Sequence, residues 1–258
     1  NFEFVLLSRP HIAIDFIEAI RKHTSAKILY YGHDIHHLRI KEEQKLYPNN
    51  KRLIREERHW RLLEHQVWKA VDAIYYLSDR ETEYVENYLE INSCKAQVYT
   101  LPCFAFDDFE SDPKINLTQR KGILFVAGFG HTPNVDAAIW FVKSIFPLIQ
   151  AKLPNTHLFL VGSNPTLDVI SLSSNTITVT GYVSDKELRE YYNSVRVAIA
   201  PLRYGAGVKG KVVEAMRFGT PIVTTSIGLQ GIEDAHRIIL SADDTEKFAE
   251  YVLKYLTD

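Results

Sequence analysis

Val197-Ala198-Ile199-Ala200-Pro201-Leu202-Arg203-Tyr204-Gly205-Ala206-Gly207-Val208-Lys209-Gly210-Lys211-Val212-Val213-Glu214-Ala215-Met216-Arg217 reads as a single strand–loop–helix unit. Val197 to Ala200 is apolar on every side chain, the pattern of a strand covered on both faces. A glycine-rich loop follows, and Val212 to Arg217 reads as a helix that carries Glu214. The same alternation extends in both directions. Downstream, Pro221 to Thr225 and Arg237 to Leu240 read as strands and Thr245 to Leu256 as a helix; upstream, Ile123 to Ala127, Leu158 to Val161 and Ile177 to Thr180 read as strands, with helices over Val135 to Leu148 and Asp185 to Asn193. Apolar strands alternating with helices predict a parallel sheet with helices on both faces.

The first part of the chain carries a second such run. Strands are expected at Val5 to Leu7, Lys27 to Tyr31, Ala73 to Leu77 and Val98 to Pro102, and helices at Ile12 to His23, at Arg39 to Ala70 with a break near Pro48, and at Glu81 to Leu89 with Ser78 as its cap. Between the two runs, Cys103 to Arg120 is aperiodic and locally acidic, the composition of a linker. The expected class is therefore α/β with two Rossmann-like domains: a partial N-terminal one over residues 1–102, a linker over 103–120 and a C-terminal one over 121–258. The chain opens at Asn1 directly on a strand-like run, which suggests a first domain truncated at its N-terminus. In open parallel sheets ligands sit at the carboxyl ends of the strands, and the site is expected there.

Composition narrows the function. The formal net charge is −2, which supplies no general attraction to nucleic acid or anionic membrane, so any polyanion site must be local. Cys94 and Cys103 have no metal-ligand spacing and are too few for a disulfide scaffold; they read as reduced thiols of a cytoplasmic protein, at most peripheral to a membrane. No apolar run approaches the ~18 residues of a membrane span. No Asp-x-Asp pair is present to hold a metal-bound diphosphate.

Gly205 to Lys211 is the densest chemical signal. It fits G-x-G-x-x-G, the dinucleotide fingerprint, and G-x-x-x-x-G-K, most of a P-loop. Each fit has a fault: Val212 stands where a P-loop needs Ser or Thr, and a dinucleotide fingerprint belongs in the first strand–helix turn of its domain. The physics common to both remains. Glycines admit an anion to the backbone, the following helix presents free N–H groups, and Lys209 and Lys211 add charge beside them. The plainer alternative is a solvated turn bearing two surface lysines. A second cluster, His33, Asp34, His36 and His37, follows the Lys27 to Tyr31 strand. It could bind Zn²⁺, although no fourth ligand stands at a sensible spacing, or be a solvated loop feeding the next helix.

Phe125-Val126-Ala127-Gly128-Phe129-Gly130-His131-Thr132-Pro133-Asn134-Val135-Asp136, then Val161-Gly162-Ser163, Gly181-Tyr182-Val183, the Pro201 to Met216 segment, Gly219 to Thr225 and Gly228 to Gly231 follow one another as in a known family. Over these segments the sequence resembles the group-1 (family 4) glycosyltransferases of the GT-B fold. Gly32 to Arg39 and Ser78 to Glu81 carry a looser match in the first part.

The resemblance implies a C-terminal domain that binds a nucleoside-diphosphate sugar and an acceptor-side N-terminal domain. Transfer would proceed with retention, with no metal and no cofactor other than the sugar-nucleotide substrate, to an unspecified glycan, lipid or protein acceptor; nucleic acid is not an expected partner. By the same resemblance Lys209, with Arg203, Lys211 and the Gly207 loop, would hold the diphosphate, and Glu214 would receive the ribose hydroxyls. Gly128, Gly130 and His131 would admit a phosphate or the acceptor to the backbone, Val183 would offer backbone groups to the base, and His33 would hydrogen-bond the donor sugar or phosphate. His33, Lys209 and Glu214 are the catalytic candidates. The sequence departs from the family pattern at Ala206, eight positions before Glu214, where a glutamate usually contacts the donor sugar. A degenerate nucleotide- or carbohydrate-binding module is therefore an alternative. A sugar-nucleotide 2-epimerase is another, and it would need further acid/base carboxylates that the sequence does not single out.

Overall fold

The computed structural model describes residues 2–102, 104, 106, 119–232 and 234–258. Cys103 and most of the expected linker, including Asp107 to Asp112, lie outside the described residues. The chain divides into two compact units: Asn1–Ala105 with Tyr204–Val208 and Gln230–Ile232, and Phe106–Arg203 with Lys209–Leu229 and Glu233–Asp258. Neither is contiguous in sequence, in contrast to the single break expected at 103–120. Close packing is the reason. A Cβ at Gly207 would lie 3.0 Å from the His33 carbonyl, and one at Gly231 2.9 Å from Ser78 Cβ, so both glycines belong with the first unit.

In the first unit the elements run β1 (Phe4–Ser8), α1 (Pro10–His23), β2 (Lys27–Tyr31), α2 (His36–Leu46), α3 (Lys51–Ala70), β3 (Ala73–Tyr76), α4 (Asp79–Ile91) and β4 (Gln97–Thr100). The four strands form a parallel sheet in sequential order, with Lys27 opposite Phe4 and Ala73 opposite Leu29. Pro48 sits in the turn between α2 and α3, where a residue without an N–H costs no helical bond. The Asn50 side chain caps α3, accepting from Arg52 N at 3.0 Å. Trp68, Tyr30, Tyr76, Ile28 and Ile35 fill the core. Ser78 stands at the N-cap position of α4, but its hydroxyl donates to Glu81 Oε2 at 3.0 Å and does not cap the backbone.

The second unit runs β5 (Ile123–Val126), α5 (Thr132–Trp140), a π-helical turn over Phe141–Ile145, α6 (Phe146–Gln150), β6 (Leu158–Val161), α7 (Leu167–Ile170), β7 (Ile177–Val179), α8 (Asp185–Ser194), β8 (Val197–Ala200), α9 (Gly210–Arg217), β9 (Ile222–Thr224), a 3-10 turn over Ala235–Arg237, β10 (Leu240–Ser241) and α10 (Thr245–Thr257). Its six parallel strands lie in the order β7-β6-β5-β8-β9-β10. The chain starts in the middle, steps outward to β7, then returns to place β8 beside β5. This is the doubly wound order, and the gap between β5 and β8 is its switch point, where such sheets bind ligands. Phe125, Phe129, Phe141, Phe146 and Phe248 are buried in one core, each contributing about 1.5–3 kcal/mol of burial.

Two expectations need correction, and one short helix lies outside them. The helix expected over Val135 to Leu148 is interrupted by the π turn, because Pro147 offers no N–H to the preceding turn and its ring crowds a carbonyl there. The strand expected at Arg237 to Leu240 is only Leu240–Ser241. Asp234, in left-handed backbone (φ 52°), opens the 3-10 turn and pairs with Arg237 at 3.1 Å. The short helix α7 was not expected; it starts where Thr166 accepts from Val169 N at 3.4 Å.

Candidate functional site

The loops that leave β5 and β8 meet at the switch point and are tied together by two side-chain bridges from α5. Asp136 accepts from Arg203 Nε at 2.9 Å and from a second guanidinium nitrogen, and the Arg203 guanidinium lies 5.8 Å from the Trp140 ring centre. Two residues earlier, Asn134 Oδ1 accepts from Lys211 Nζ at 2.6 Å while Asn134 Nδ2 donates to the Gly128 carbonyl at 2.8 Å. The Lys211 ammonium also lies over the Phe125 ring, 5.3 Å from its centre. One asparagine thus connects the lysine at the start of α9 with the glycine loop after β5.

That glycine loop is more open than the fold requires. A Cβ at Gly128 would approach nothing nearer than Ser163 Oγ at 3.8 Å, and one at Gly130 nothing nearer than Asn164 Cβ at 3.7 Å; neither residue has positive φ. Gly162 is different: its φ is +147° and a Cβ would stand 1.8 Å from the Ala127 carbonyl oxygen, so the ends of β5 and β6 need glycine there. If Gly128 and Gly130 serve a ligand rather than the fold, Gly128→Ala leaves the melting temperature unchanged or slightly higher and weakens nucleotide binding by about tenfold or more. A fall in stability with binding intact would assign Gly128 to the fold.

Lys209 takes the N-cap position of α9 and is itself buried, at 8% exposure. Gly210 and Lys211 open the helix, where amides lack intrahelical acceptors. Burial draws the Lys211 amine down to about 7; the Lys209 charge adds to this and Glu214 opposes it. Further along α9, Glu214 Oε2 accepts from the hydroxyl of buried Tyr192 at 2.9 Å. Burial raises the Glu214 carboxyl above its ordinary range; the Tyr192 hydrogen bond and Arg217 pull it back, and Asp185 pushes it up. Lys209, Lys211 and Glu214 therefore share one electrostatic neighbourhood.

Val183 lies between β7 and α8 at the same carboxyl edge, in the loop opened by Gly181 at φ +77°. Gly162 N donates to the Gly181 carbonyl at 3.1 Å and joins this loop to β6. Immediately after Val183, Ser184 and Glu187 form a reciprocal capping box that fixes the start of α8. His131 is exposed at the N-cap position of α5. Gly128, Gly130, His131, Val183, Arg203, Lys209, Lys211 and Glu214 all belong to the second unit; His33 and Gly207 belong to the first.

In the first unit His33 is exposed after β2, its Nε2 sharing a hydrogen bond with Ser8 Oγ at 2.9 Å. Ala206 and Gly207 line a cavity of about 380 Å³ with Glu81, Tyr84 and Gln230. His36 and His37 turn elsewhere. Both approach the buried Glu64 carboxylate, with His37 Nδ1 at 2.6 Å from Oε2, and His37 Nε2 is 2.9 Å from Tyr84 Oη. Among the described residues no group of three or more His, Cys, Asp or Glu is placed to hold a metal ion, and no helix is long and apolar enough to cross a membrane. Asn134, Tyr192 and Glu64 are the side chains whose roles sequence reasoning did not find. Asn134 stands within the Phe125 to Asp136 segment that carries the resemblance, but nothing there marks its partner; Tyr192 and Glu64 gave only the helical spacing that places them on buried faces.

Parallel α/β units with a basic glycine loop at a doubly wound switch point define the Rossmann-like architecture of the GT-B class. A family profile described as "Glycosyl transferases group 1" matches residues 120–258, and the chain belongs to that family, as the sequence resemblance implied. A protein of Klebsiella pneumoniae described as an "Uncharacterized 44.6 kDa protein in cps region" is 30% identical over 160 residues, covering 59% of this chain and 39% of the relative. Among solved structures, sucrose-phosphate synthase from Thermosynechococcus elongatus superimposes with a TM-score of 0.70 at 18% identity, covering 100% of this chain and 65% of that one. A UDP-forming α,α-trehalose-phosphate synthase from Burkholderia vietnamiensis superimposes with a TM-score of 0.67 at 12% identity, covering 98% and 66%. At these identities the likeness establishes the fold. The chain spans less than two thirds of each of these proteins.

Proposed function

We propose that this chain supplies the donor-binding part of a glycosyltransferase that moves a sugar from a nucleoside diphosphate to an acceptor, with retention of configuration and without a metal ion. The observation that carries the reading is the set of groups around α9: Lys209 and Lys211 at its amide end, Glu214 on its next turn, and the uncrowded Gly128 loop bound to Lys211 through Asn134. When the bond between the anomeric carbon and the β-phosphate oxygen breaks, negative charge grows on the departing diphosphate. Ammonium groups and helix amides already in place there stabilise that charge without reorganising, which is how such sites lower barriers. Glu214, with Oε2 engaged by Tyr192, keeps acceptor capacity for the vicinal ribose hydroxyls. Arg203, ion-paired with Asp136, holds the β8 loop in shape beside these groups. His33 is assigned a hydrogen bond to the donor by the family resemblance.

Ala206, in place of the usual glutamate, favours a second reading, a module that binds the nucleotide but transfers nothing. Thermal-shift titration with UDP, GDP, ADP and dTDP and their sugars, with and without EDTA, tests the first claim. Ligand at a hundred times its dissociation constant adds about 2.7 kcal/mol. Stabilisation by one base series, indifferent to EDTA, is the expected result; no shift from a folded chain with any nucleotide would sink the donor site. Release of free nucleoside diphosphate from the bound sugar nucleotide then separates transferase from module.

A further inference from the structure

Helix α5 binds two of the basic side chains at the switch point, and it treats them differently. Asp136 gives Arg203 a carboxylate and neutralises it. Asn134 gives Lys211 a neutral amide oxygen. An ammonium has three N–H donors, and the bond to Asn134 is the one side-chain hydrogen bond Lys211 makes among the described residues. The groups facing it are the Phe125 ring from β5, Asn134 from α5, the like charge of Lys209 just ahead of α9, and Glu214 on α9, which acts through space without an ion-pair contact. A part-buried amine in this setting is tied through Asn134 to the uncrowded Gly128 loop and, among the described residues, has no carboxylate in ion-pair contact.

We propose that Asn134 is a positioning residue that fixes Lys211 against the Gly128 loop without neutralising it, so that an arriving diphosphate supplies the missing anion and the site takes up a proton as it binds. The inference rests on the donor-site reading above. Its physical basis is linkage: the free amine titrates at about 7, and a bound diphosphate stabilises the charged form and moves that titration upward. Near pH 7.5 most of the free sites are neutral and must be protonated to bind. Near pH 6 they are already charged. Affinity accordingly falls as pH rises above 7. An aspartate at 134 would pair with the amine, keep it protonated, and compete with the phosphate for it.

Calorimetric titration of the whole chain with UDP, GDP, ADP and dTDP, in buffers of different ionisation enthalpy, counts the protons. At pH 7.5 the expected uptake by wild type is roughly 0.5–1 proton per site, falling toward zero at pH 6. Lys211→Arg keeps a permanent cation and should bind with no such uptake, while any proton change on the nucleotide itself stays the same in both proteins. Asn134→Asp should lose the uptake and bind about tenfold more weakly; a merely structural role for Asn134 would not alter the proton count. Equal counts in wild type and Lys211→Arg, or a wild-type count independent of pH, overturn the inference while leaving the donor site standing. If no nucleotide binds, the donor site falls and this inference with it.

Discussion

Glu64→Ala is expected to destabilise the first unit by about 3–5 kcal/mol, a large part of the stability of a domain this size. Glu64 lies on α3 with no exposed surface, and its carboxylate is spent on the start of α2. Oε1 accepts from His36 N at 2.8 Å; Oε2 accepts from His37 N at 3.2 Å and from His37 Nδ1 at 2.6 Å. Helix α2 has no side-chain cap of its own, and Ile35 N just ahead of it donates to Glu81 Oε1 at 3.3 Å. Two buried glutamates from other helices therefore take the amides that a capping residue would normally take. Removing Glu64 leaves buried donors without acceptors, which costs more than the lost bonds alone.

The same geometry sets an acid limit. Burial alone would raise the Glu64 carboxyl, but hydrogen bonds and charge from His36 and His37 win and hold it at about 2, against an ordinary 4.5. A depressed carboxyl stabilises the fold above its unfolded value and loses that contribution as pH falls from about 4.5 toward 2. That amounts to about 3 kcal/mol across the window. Urea denaturation read by tryptophan fluorescence checks both effects. A Trp140→Phe background confines the signal to Trp60 and Trp68, which flank Glu64 on α3. Glu64→Gln keeps one acceptor oxygen and should fall between wild type and alanine, with a flatter acid profile. A loss below about 1 kcal/mol for Glu64→Ala would mean that packing, not the carboxylate, starts α2.

Glu64 also marks where sequence reading stops. In Lys51 to Ala70 it is one charge among many, and its partners are 27 and 28 residues away. Only its spacing, four after Trp60 and four before Trp68, sets it on the buried stripe. Strands were legible because an apolar run needs no partner to be recognised: β2 and β6 fall on the expected residues. The π turn was not, because Phe141 to Ile145 keeps a helical pattern while Pro147 alters the hydrogen bonds. At the site the identities of Arg203, Lys209, Lys211 and Glu214 stood in the loop itself. Which cation is neutralised depends on Asp136 and Asn134, far upstream, and chain alternation alone cannot show that pairing. The grouping of Gly207 and Gly231 with the first unit depends likewise on packing against His33 and Ser78.

The largest expected loss of binding is for Glu214→Ala. On the donor-site reading its carboxylate accepts from two ribose hydroxyls, bonds of about 1.5–3 kcal/mol each when the acceptor is charged. Glu214 pays in advance for that role: burial pushes its carboxyl up, and the Tyr192 hydroxyl at 2.9 Å helps keep it ionised and oriented. Alanine removes both ribose bonds, so nucleoside diphosphates should bind roughly 100-fold more weakly or worse. It also leaves the hydroxyl of Tyr192, 1% exposed, without its acceptor, at a cost of about 1–3 kcal/mol in stability. Inorganic pyrophosphate separates the two effects, because it reaches the cations without touching the ribose pocket. Its affinity should be nearly the same for wild type and Glu214→Ala, while the nucleotide's falls. A 2′-deoxy nucleotide should bind wild type more weakly than its ribo form and lose less affinity on the substitution, because only the 3′-hydroxyl bond is left to remove. Equal losses for pyrophosphate and nucleotide would place Glu214 in the frame of α9 rather than on the ribose, since a distorted helix start weakens every anion alike.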